Sequence, residues 1–324
     1  MGKKEEFFFD SVSGGTKIHA VRYVPEGPIR GILQISHGMV EYIERYEGFA
    51  RYLTGQGILV TGNDHLGHGG SIRTKDDYGF FAERDGNGAV LADLHKLTEI
   101  TKGDYPGLPY VLLGHSMGSF YARQYLCQFG GELDGAIIMG TGCQPRALVK
   151  AGKALCSLLA AFKGWRHRSS LIDNMAFGGY NKKFEPARTP RDWLTKDQAI
   201  VDAYLADERC TFVFTLNAYH SMFTGIDRLY DKAFLARMPK ELPVLFTAGA
   251  DDPVGEFSKG VLRAADMFRQ AGMRQVEVKL YPGDRHEILN ETDRQTVYAD
   301  LAGWLDRVFA SRPAQAEETA AAAP

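Results

Sequence analysis

Short apolar runs alternate with stretches of helical periodicity over the first 143 residues of the chain. The runs are typical of buried strands, and they lie at 32–36, 58–61, 110–113 and 134–139. The stretches between them place apolar residues on one helical face, and they cover 43–55, 88–102 and 117–129. An N-terminal hairpin is predicted from strands at 7–10 and 17–24. This alternation predicts an α/β fold with a mainly parallel central sheet covered by helices on both faces.

The alternation stops after Gly142 and resumes at Pro243. The intervening segment has helical stretches and loops but no convincing buried strand, which predicts a mainly helical cap inserted into the core. After it, strands are expected at 243–248 and 276–281 and helices at 258–270 and 292–309. The predicted divisions are a first core part at 1–143, the cap at 144–238, a second core part at 239–311 and a disordered tail at 312–324.

Composition, charge and cysteine spacing bear on the partners and the setting of the protein. The 324 residues include 38 Lys and Arg against 40 Asp and Glu, so the chain lacks the basic excess that nucleic acid binding needs. The four cysteines form no CxxC pair and no zinc-ligand spacing, as expected of free thiols in a reducing compartment. The N-terminal sequence shows neither a signal peptide nor a transmembrane segment, which favours a cytoplasmic location.

The clearest chemical signal is the run Gly114-His115-Ser116-Met117-Gly118. A predicted buried strand leads into this G-x-S-x-G motif, and a predicted helix follows it directly. That context indicates a nucleophile elbow, a strained turn that needs glycines and lifts the serine hydroxyl above the sheet. We therefore predict Ser116 as a catalytic nucleophile.

A serine nucleophile needs a base to take its proton and an acid to orient that base. After an elbow of this type the acid and then the histidine follow in chain order, each on a loop after a strand. Asp251 and Asp252 follow the predicted strand at 243–248, and His286 follows the last strand. Pro253 restricts Asp252 to an extended backbone, which suits a rigid loop. Asp252 is therefore favoured as the acid, with Asp251 as the alternative, and His286 is predicted as the base.

The negative charge that develops on the substrate oxygen needs N–H donors held in place. The backbone N–H of Met117, directly after the nucleophile, is one candidate. The second is the N–H of Met39, in the loop after the third strand, where Gly38 lets the backbone turn sharply. His37 in the same loop is interpreted as a structural hydrogen-bonding residue rather than a second base.

A second polar run, Asp64-His65-Leu66-Gly67-His68-Gly69-Gly70-Ser71, contains residue types that bind metal ions. A tight glycine-rich loop explains the same residues as well. Serine, histidine and aspartate chemistry needs no ion. We therefore expect no metal site and no cofactor.

Together these motifs resemble the monoacylglycerol lipase and lysophospholipase branch of the α/β-hydrolases, also described as serine aminopeptidase S33-like. The segments that carry the resemblance run in family order, and they are 37–42, 64–71, 104–109, 114–118, 249–252 and 285–287. The resemblance implies the α/β-hydrolase fold, with Ser116 as nucleophile, Asp252 as acid, His286 as base and the same two oxyanion donors. It fades in the cap, so it does not extend to a particular lipid.

The cap sequence has apolar residues that suit either an acyl chain or ordinary packing. One helical stripe includes Leu159 and Phe162, and a second cluster includes Phe214 and Met222. These four are the candidate lining of an acyl channel, and packing of the cap against the core is the alternative. Lys and Arg residues between 150 and 168 give the cap a basic surface, for which peripheral contact with anionic lipid and a solvated face are both open.

The favoured function is hydrolysis of carboxylic esters through an acyl-enzyme, without a cofactor. The resemblance implies a small lipid-like ester, of the monoacylglycerol or lysophospholipid type, as the partner. An aminopeptidase or amidase of the same fold is the first alternative, although a cap rich in Lys and Arg does not suit a substrate amine. A non-catalytic ligand-binding protein of the same fold is the second, and an intact oxyanion loop counts against it.

Overall fold

The structure is a computed structural model that describes residues 2–311, so the tail predicted at 312–324 lies outside the described residues. Eight strands build one sheet in this part of the chain. They are β1 (Lys3–Asp10), β2 (Lys17–Val24), β3 (Gly31–Ser36), β4 (Ile58–Asn63), β5 (Tyr110–His115), β6 (Gly135–Met139), β7 (Val244–Gly249) and β8 (Val276–Tyr281). The order of the strands in the sheet is β1-β2-β4-β3-β5-β6-β7-β8.

The pairing of the strands confirms the mainly parallel sheet that the sequence predicts. β1 pairs antiparallel with β2, and β2 pairs antiparallel with β4. The other neighbours, from β4 and β3 to β7 and β8, are parallel. Each predicted strand is present, but β1 begins at Lys3 rather than at Phe7. Its charged first half pairs with β2 at the edge of the sheet, where pairing does not require an apolar pattern.

The described chain also contains ten α-helices. They are α1 (Glu47–Thr54), α2 (Gly86–Asp104), α3 (Met117–Phe129), α4 (Arg146–Lys163), α5 (Ser170–Phe177), α6 (Gln198–Ala206), α7 (Leu216–Arg228), α8 (Lys232–Leu235), α9 (Lys259–Gln270) and α10 (Arg294–Ser311). The helix predicted at 43–55 is divided, because a 3-10 turn at Ile43–Tyr46 precedes α1. Hydrogen bonds to residues outside it hold this turn in place. The Ile43 N–H donates to Asp64, and the Tyr46 hydroxyl donates to Glu41.

Helices cover both faces of the sheet, as predicted. On one face α2, α3 and α9 pack over a core that includes Leu94, Tyr121 and Phe268. On the other face α1 and α10 pack over a core that includes Phe49 and Leu305. All five side chains are fully buried. Burial of both faces explains why the central strands read as continuous apolar runs in the sequence.

The segment between β6 and β7 contributes helices α4 to α8 and, within the described residues, no strand of the sheet. We keep the name cap for residues 144–238. α4 packs along α7 through a face of small and apolar side chains, namely Val149, Gly152, Cys156 and Ala160. One isolated backbone bridge joins Arg168 to Thr215.

Two further features bear on the predicted setting of the protein. All four cysteines are buried and unpaired, as the sequence predicts for free thiols. No helix in residues 2–311 has both the length and the apolar character needed to cross a lipid bilayer. The cytoplasmic location stays a prediction.

Candidate active site

The turn between β5 and α3 has the geometry of a nucleophile elbow. Ser116 has φ 51° and ψ −117°, a positive φ that is strained for a residue with a side chain. A Cβ atom at Gly118 would lie 1.9 Å from the carbonyl oxygen of Ser36, and one at Gly114 would lie 2.4 Å from that of Gly118. Both glycines are therefore required for the helix to start this close to the sheet.

His286 and Asp252 meet at the carboxyl ends of the neighbouring strands β8 and β7. The imidazole Nδ1 of His286 lies 2.9 Å from Oδ2 of Asp252, and both side chains are buried. The other oxygen of Asp252 accepts the backbone N–H of Val254 at 2.8 Å. Ser116 and His286 line the same small cavity.

The two adjacent carboxylates that compete for the role of acid have different partners. Asp252 contacts His286, whereas Asp251 pairs with the ammonium of Lys183 at 2.5 Å. Lys183 belongs to the cap. Its side chain is about half exposed, and the side chain of Asp251 is partly exposed. The geometry therefore favours Asp252 as the orienting acid.

The two predicted oxyanion donors border the nucleophile. Met39 and Met117 line the same cavity as Ser116. Met117 is the first residue of α3, so its N–H has no acceptor within the helix. The amides on either side of Met39 are tied down, because Gly38 N–H donates to Glu41 and Val40 N–H donates to Nε2 of His68. These bonds fix the direction of the Met39 N–H between them.

A buried network connects the loop that contains Met39 with the loop that contains His286. Its four charged side chains are those of Glu41, Arg45, His115 and Glu287. The carboxylate of Glu41 accepts hydrogen bonds from Arg45 and from Tyr46, both at 2.7 Å. The guanidinium of Arg45 also forms two bonds, at 2.8 and 2.7 Å, to Glu287, the residue after His286. The sequence analysis missed this network. Its one sequence signal is that both glutamates lie within two residues of a predicted site residue.

His115, inside the elbow motif, completes this network. Its Nδ1 lies 2.8 Å from the Tyr46 hydroxyl and 3.2 Å from Glu41, and its Nε2 faces the carbonyl oxygen of His286 at 3.4 Å. Burial disfavours the charged imidazole, but the hydrogen bond and charge of Glu41 outweigh burial and raise the pKa of His115. Protonated His115 and Arg45 then balance the charges of Glu41 and Glu287.

The stabilisation that protonated His115 supplies should be lost as the pH rises. Its folded pKa lies above the value of about 6.5 for an unfolded histidine, so the contribution is complete below about pH 6.5 and is lost as the pH rises through the folded pKa. Urea unfolding of the wild type and of His115→Gln across this pH range measures the contribution. The difference in the free energy of unfolding between the two proteins should shrink with rising pH. A constant difference would mean that folding leaves the pKa of His115 unchanged, and a difference that grows with pH would mean that the folded protein holds the ring neutral.

The polar run at 64–71 forms a tight loop that histidine side chains hold by hydrogen bonds. Nε2 of His37 accepts the N–H of His65 at 2.9 Å, and Nε2 of His65 lies 3.0 Å from the Ser36 hydroxyl. Burial lowers the pKa of His65 far below its ordinary value and that of His68 to about 3, so both rings are neutral hydrogen-bonding groups. Asp64 pairs with His19 at 2.8 Å. The geometry favours the structural interpretation of this loop.

Three carboxylates near His286 form the one group of acidic side chains in residues 2–311 that is compact enough to hold a cation. Oxygens of Asp284, Glu291 and Asp293 lie within 4.8 Å of one another. The ammonium of Lys196 is already hydrogen-bonded to Asp284 at 2.7 Å and lies 3.8 Å from Glu291. A cap side chain therefore supplies positive charge at this position.

Two cavities of different character meet at Ser116. The first has a volume of about 150 Å³ and an apolar lining that includes Phe120, Ile172, Phe223 and Ile226. The second has a volume of about 40 Å³ and lies on the side of His286; we call it the polar cavity because Asp173, Arg191 and Glu287 line it, although Phe177 and Trp193 line it too. A site with one apolar and one polar side is suited to an ester whose acyl and alcohol parts differ in polarity.

The structure separates the four cap residues that the sequence suggests as channel lining. Met222 lines the apolar cavity. Leu159 and the fully buried Phe214 pack into the core, and neither lines the apolar or the polar cavity. Phe162 is 83% exposed and lies outside both cavities. These three side chains lie outside both cavities. An apolar pattern in the sequence does not show which cavity a residue borders.

A serine held at positive φ between a strand and a helix, at the carboxyl edge of a mainly parallel sheet, defines the α/β-hydrolases, and this protein is one of them. Residues 27–293 match the serine aminopeptidase S33 family. The chain belongs to that family, in its branch of monoacylglycerol lipase-like carboxylic ester hydrolases.

Proteins of similar sequence or structure align with most of this chain. A monoacylglycerol lipase from Mycolicibacterium smegmatis is 25% identical over 292 residues, which cover 90% of this chain and 94% of the relative. A monoglyceride lipase from Homo sapiens is 26% identical over 293 residues, which cover 87% and 84%. A solved structure of a thermostable carboxyl esterase from Bacillus coagulans in complex with glycerol has a TM-score of 0.88 and 27% identity, covering 95% of this chain and all of that one.

Proposed function

We propose that this protein hydrolyses lipid-like carboxylic esters with Ser116 as nucleophile, His286 as general base and Asp252 as orienting acid. The observation that carries the proposal is the geometry around His286. Its Nδ1 is bonded to the buried Asp252, and the ring borders the cavity that contains Ser116. A neutral imidazole fixed in this tautomer has Nε2 available to accept a proton.

The reaction then follows in two halves. His286 takes the proton of Ser116 as Oγ attacks the ester carbonyl, and the N–H groups of Met39 and Met117 stabilise the oxyanion. Collapse of this intermediate breaks the bond to the alcohol, which receives the proton from His286. Water then gives its proton to His286, attacks the acyl-enzyme and releases the carboxylic acid with Ser116 restored.

The two cavities support an assignment of the two parts of the substrate. The apolar cavity takes the acyl chain, because its lining gains most from contact with hydrocarbon. The polar cavity takes the leaving alcohol, and Arg191 and Asp173 bring a donor and an acceptor to it. A monoacylglycerol fits this division well, since its alcohol part is small and rich in hydroxyl groups. The names of the relatives from Mycolicibacterium smegmatis and Homo sapiens support the same class.

The surface around the apolar cavity supports peripheral contact with a lipid layer. Leu148 and Met175 line the cavity and are also more than half exposed. Leu158, Phe162 and Leu171 add further exposed apolar area on α4 and α5. A substrate that leaves a lipid layer would then reach the cavity without crossing water. Co-sedimentation with anionic phospholipid vesicles checks this contact.

A comparison of esters tests the proposed function directly. The set consists of p-nitrophenyl esters from acetate to palmitate, 2-monoacylglycerol and lysophosphatidylcholine. We expect hydrolysis of all p-nitrophenyl esters, a preference for longer acyl chains, and faster turnover of monoacylglycerol than of the phosphate-bearing substrate. Turnover of aminoacyl nitroanilides without turnover of esters would identify a peptidase and overturn the proposal.

Narrowing the apolar cavity should discriminate against long acyl chains. Met222→Trp places a large side chain in the lining, so kcat/KM for palmitate should fall more than kcat/KM for acetate, by about 1–3 kcal/mol in transition-state free energy. The matched control is Phe162→Trp, because Phe162 is exposed and lies outside both cavities. Equal losses for both esters in Met222→Trp would indicate a packing defect and remove the acyl assignment.

A further inference from the structure

The cap segment 192–196 runs beside the loop that carries the catalytic histidine. The carbonyl oxygen of Leu194 accepts the N–H of Glu287 at 2.7 Å, and that of Trp193 accepts the N–H of His286 at 3.4 Å. Two consecutive amides of the histidine loop therefore bond to two consecutive carbonyls of the cap. This pairing places His286 against the cap as well as against the core.

Side chains of the cap and of the histidine loop add further hydrogen bonds to this backbone pairing. The guanidinium of Arg285 donates to the carbonyl oxygen of Asp192. The hydroxyl of Thr195 donates to the carbonyl oxygen of Asn290 at 3.0 Å, and the ammonium of Lys196 donates to Asp284 at 2.7 Å. These contacts begin two residues before His286 and end four residues after it. The cap thus holds the whole catalytic loop.

The ring of Trp193 covers His286 directly. The centroids of the two rings are 5.1 Å apart, with an angle of 43° between their planes. Trp193 is 6% exposed, and Tyr180 of the cap contacts it at 4.9 Å in an edge-to-face arrangement. From the core, the His115 ring contacts His286 at 4.8 Å. The imidazole is therefore in contact with one ring from the cap and one from the core.

We infer that Trp193, together with the backbone of Leu194, is a positioning element that holds His286 in the orientation needed to act on Ser116. The inference rests on the proposed function of His286 as general base. The cap then has a part in catalysis in addition to its contact with substrate. Within the cap, residues 192–196 are the segment that makes this contribution.

The physical reason is that Asp252 constrains the imidazole at Nδ1 alone. An imidazole that is held by its covalent Cβ–Cγ bond and by one hydrogen bond can still rock. Rocking displaces Nε2, which has to reach the Ser116 hydroxyl. Contact with the Trp193 ring restricts the rocking, and the bonds from His286 and Glu287 to the cap restrict the backbone below it. Displacements of about 1 Å in a catalytic group cost on the order of 100-fold in rate.

Deacylation of the acetyl-enzyme is the step that isolates this role. The alcohol has already left, so any contact of Trp193 with the leaving group no longer affects the rate, while His286 still has to activate water. In Trp193→Ala we expect deacylation to slow by about 10–100-fold, and KM for p-nitrophenyl acetate to change little because acylation slows by a similar factor. Trp193→Phe, which keeps an aromatic face, should recover most of the lost rate.

Trp165→Ala is the matched control. Trp165 is also a cap tryptophan whose ring contacts a histidine, with 5.1 Å between the ring centroids of Trp165 and His220. Trp165 lies outside both cavities. Its replacement makes the same truncation in the cap and should leave deacylation unchanged. An equal loss in Trp165→Ala, or a deacylation rate in Trp193→Ala within about twofold of the wild type, would overturn the inference.

Proton NMR gives a readout that does not depend on turnover. The Nδ1 proton of His286, hydrogen-bonded to Asp252, should give a downfield resonance in the wild type and in Trp193→Phe. In Trp193→Ala this resonance should broaden or disappear, because the ring is no longer held. An unchanged resonance in Trp193→Ala overturns the positioning role even if the wild type hydrolyses no ester, an outcome that would separately overturn the proposed function.

Discussion

Replacing Ser116 with alanine should lower kcat by about 10⁴–10⁶-fold, because members of a catalytic triad act as a unit. The hydroxyl is the only group removed, and alanine at the same positive φ meets the same backbone strain as serine. The melting temperature should therefore change little. Kinetics with p-nitrophenyl butyrate and thermal unfolding of the same sample measure both quantities.

Covalent labelling provides the control for this prediction. A fluorophosphonate should modify the wild-type protein once, and peptide mapping should locate the modification at Ser116. The Ser116→Ala protein should remain unlabelled. Labelling at a different serine, or turnover that survives the substitution, would show that the elbow does not carry the reaction.

Asp252→Asn should lower kcat by about 10⁴-fold, through the tautomer of the histidine. The N–H of Val254 needs an acceptor, so the amide oxygen of the new asparagine takes that bond and its NH₂ group faces His286. Nδ1 must then accept a hydrogen bond, which moves the imidazole proton to Nε2. A protonated Nε2 cannot take the proton of Ser116.

Asp251→Asn is the matched comparison, because it makes the same chemical change one residue earlier. It removes an ion pair with Lys183 that is in part exposed to solvent, and such pairs contribute about 0–1 kcal/mol. Its kcat should stay close to that of the wild type. The reverse order of the two losses would identify Asp251 as the acid.

The sequence predicts the elements of this fold well where a local pattern determines them. Strands buried on both faces are mostly apolar, so β3 to β7 are visible as apolar runs despite buried polar residues such as Gln34 and Thr61. Ser116 and His286 follow predicted strands, and Gly114 and Gly118 are required by close approach of the backbone. In each case the physical constraint acts on residues that are close together in the chain.

The features that sequence analysis missed depend on contacts between distant segments. Arg45 reaches Glu287 across 242 positions of the chain, and no periodicity records that pairing. Trp193 lies in a part of the cap without a helical or strand pattern, and its role follows only from its contact with His286. Similarly, the apolar stripe of α4 indicates burial of Leu159 but cannot relate it to a cavity formed by other helices.

The insertion of the cap between β6 and β7 divides the catalytic groups between two lengths of chain. The first length, through β6, carries Ser116 and the two amides proposed as oxyanion donors, and the second carries Asp252 and His286, the proposed acid and base. One parallel seam joins the two lengths within the sheet, from Ala136 beside Val244 to Met139 beside Thr247. Met139, at the end of this seam, also accepts the Ser116 amide, so the strand that pairs with β7 helps to position the nucleophile. Hydrolytic activity is therefore a direct report on whether these two lengths of chain are joined in register.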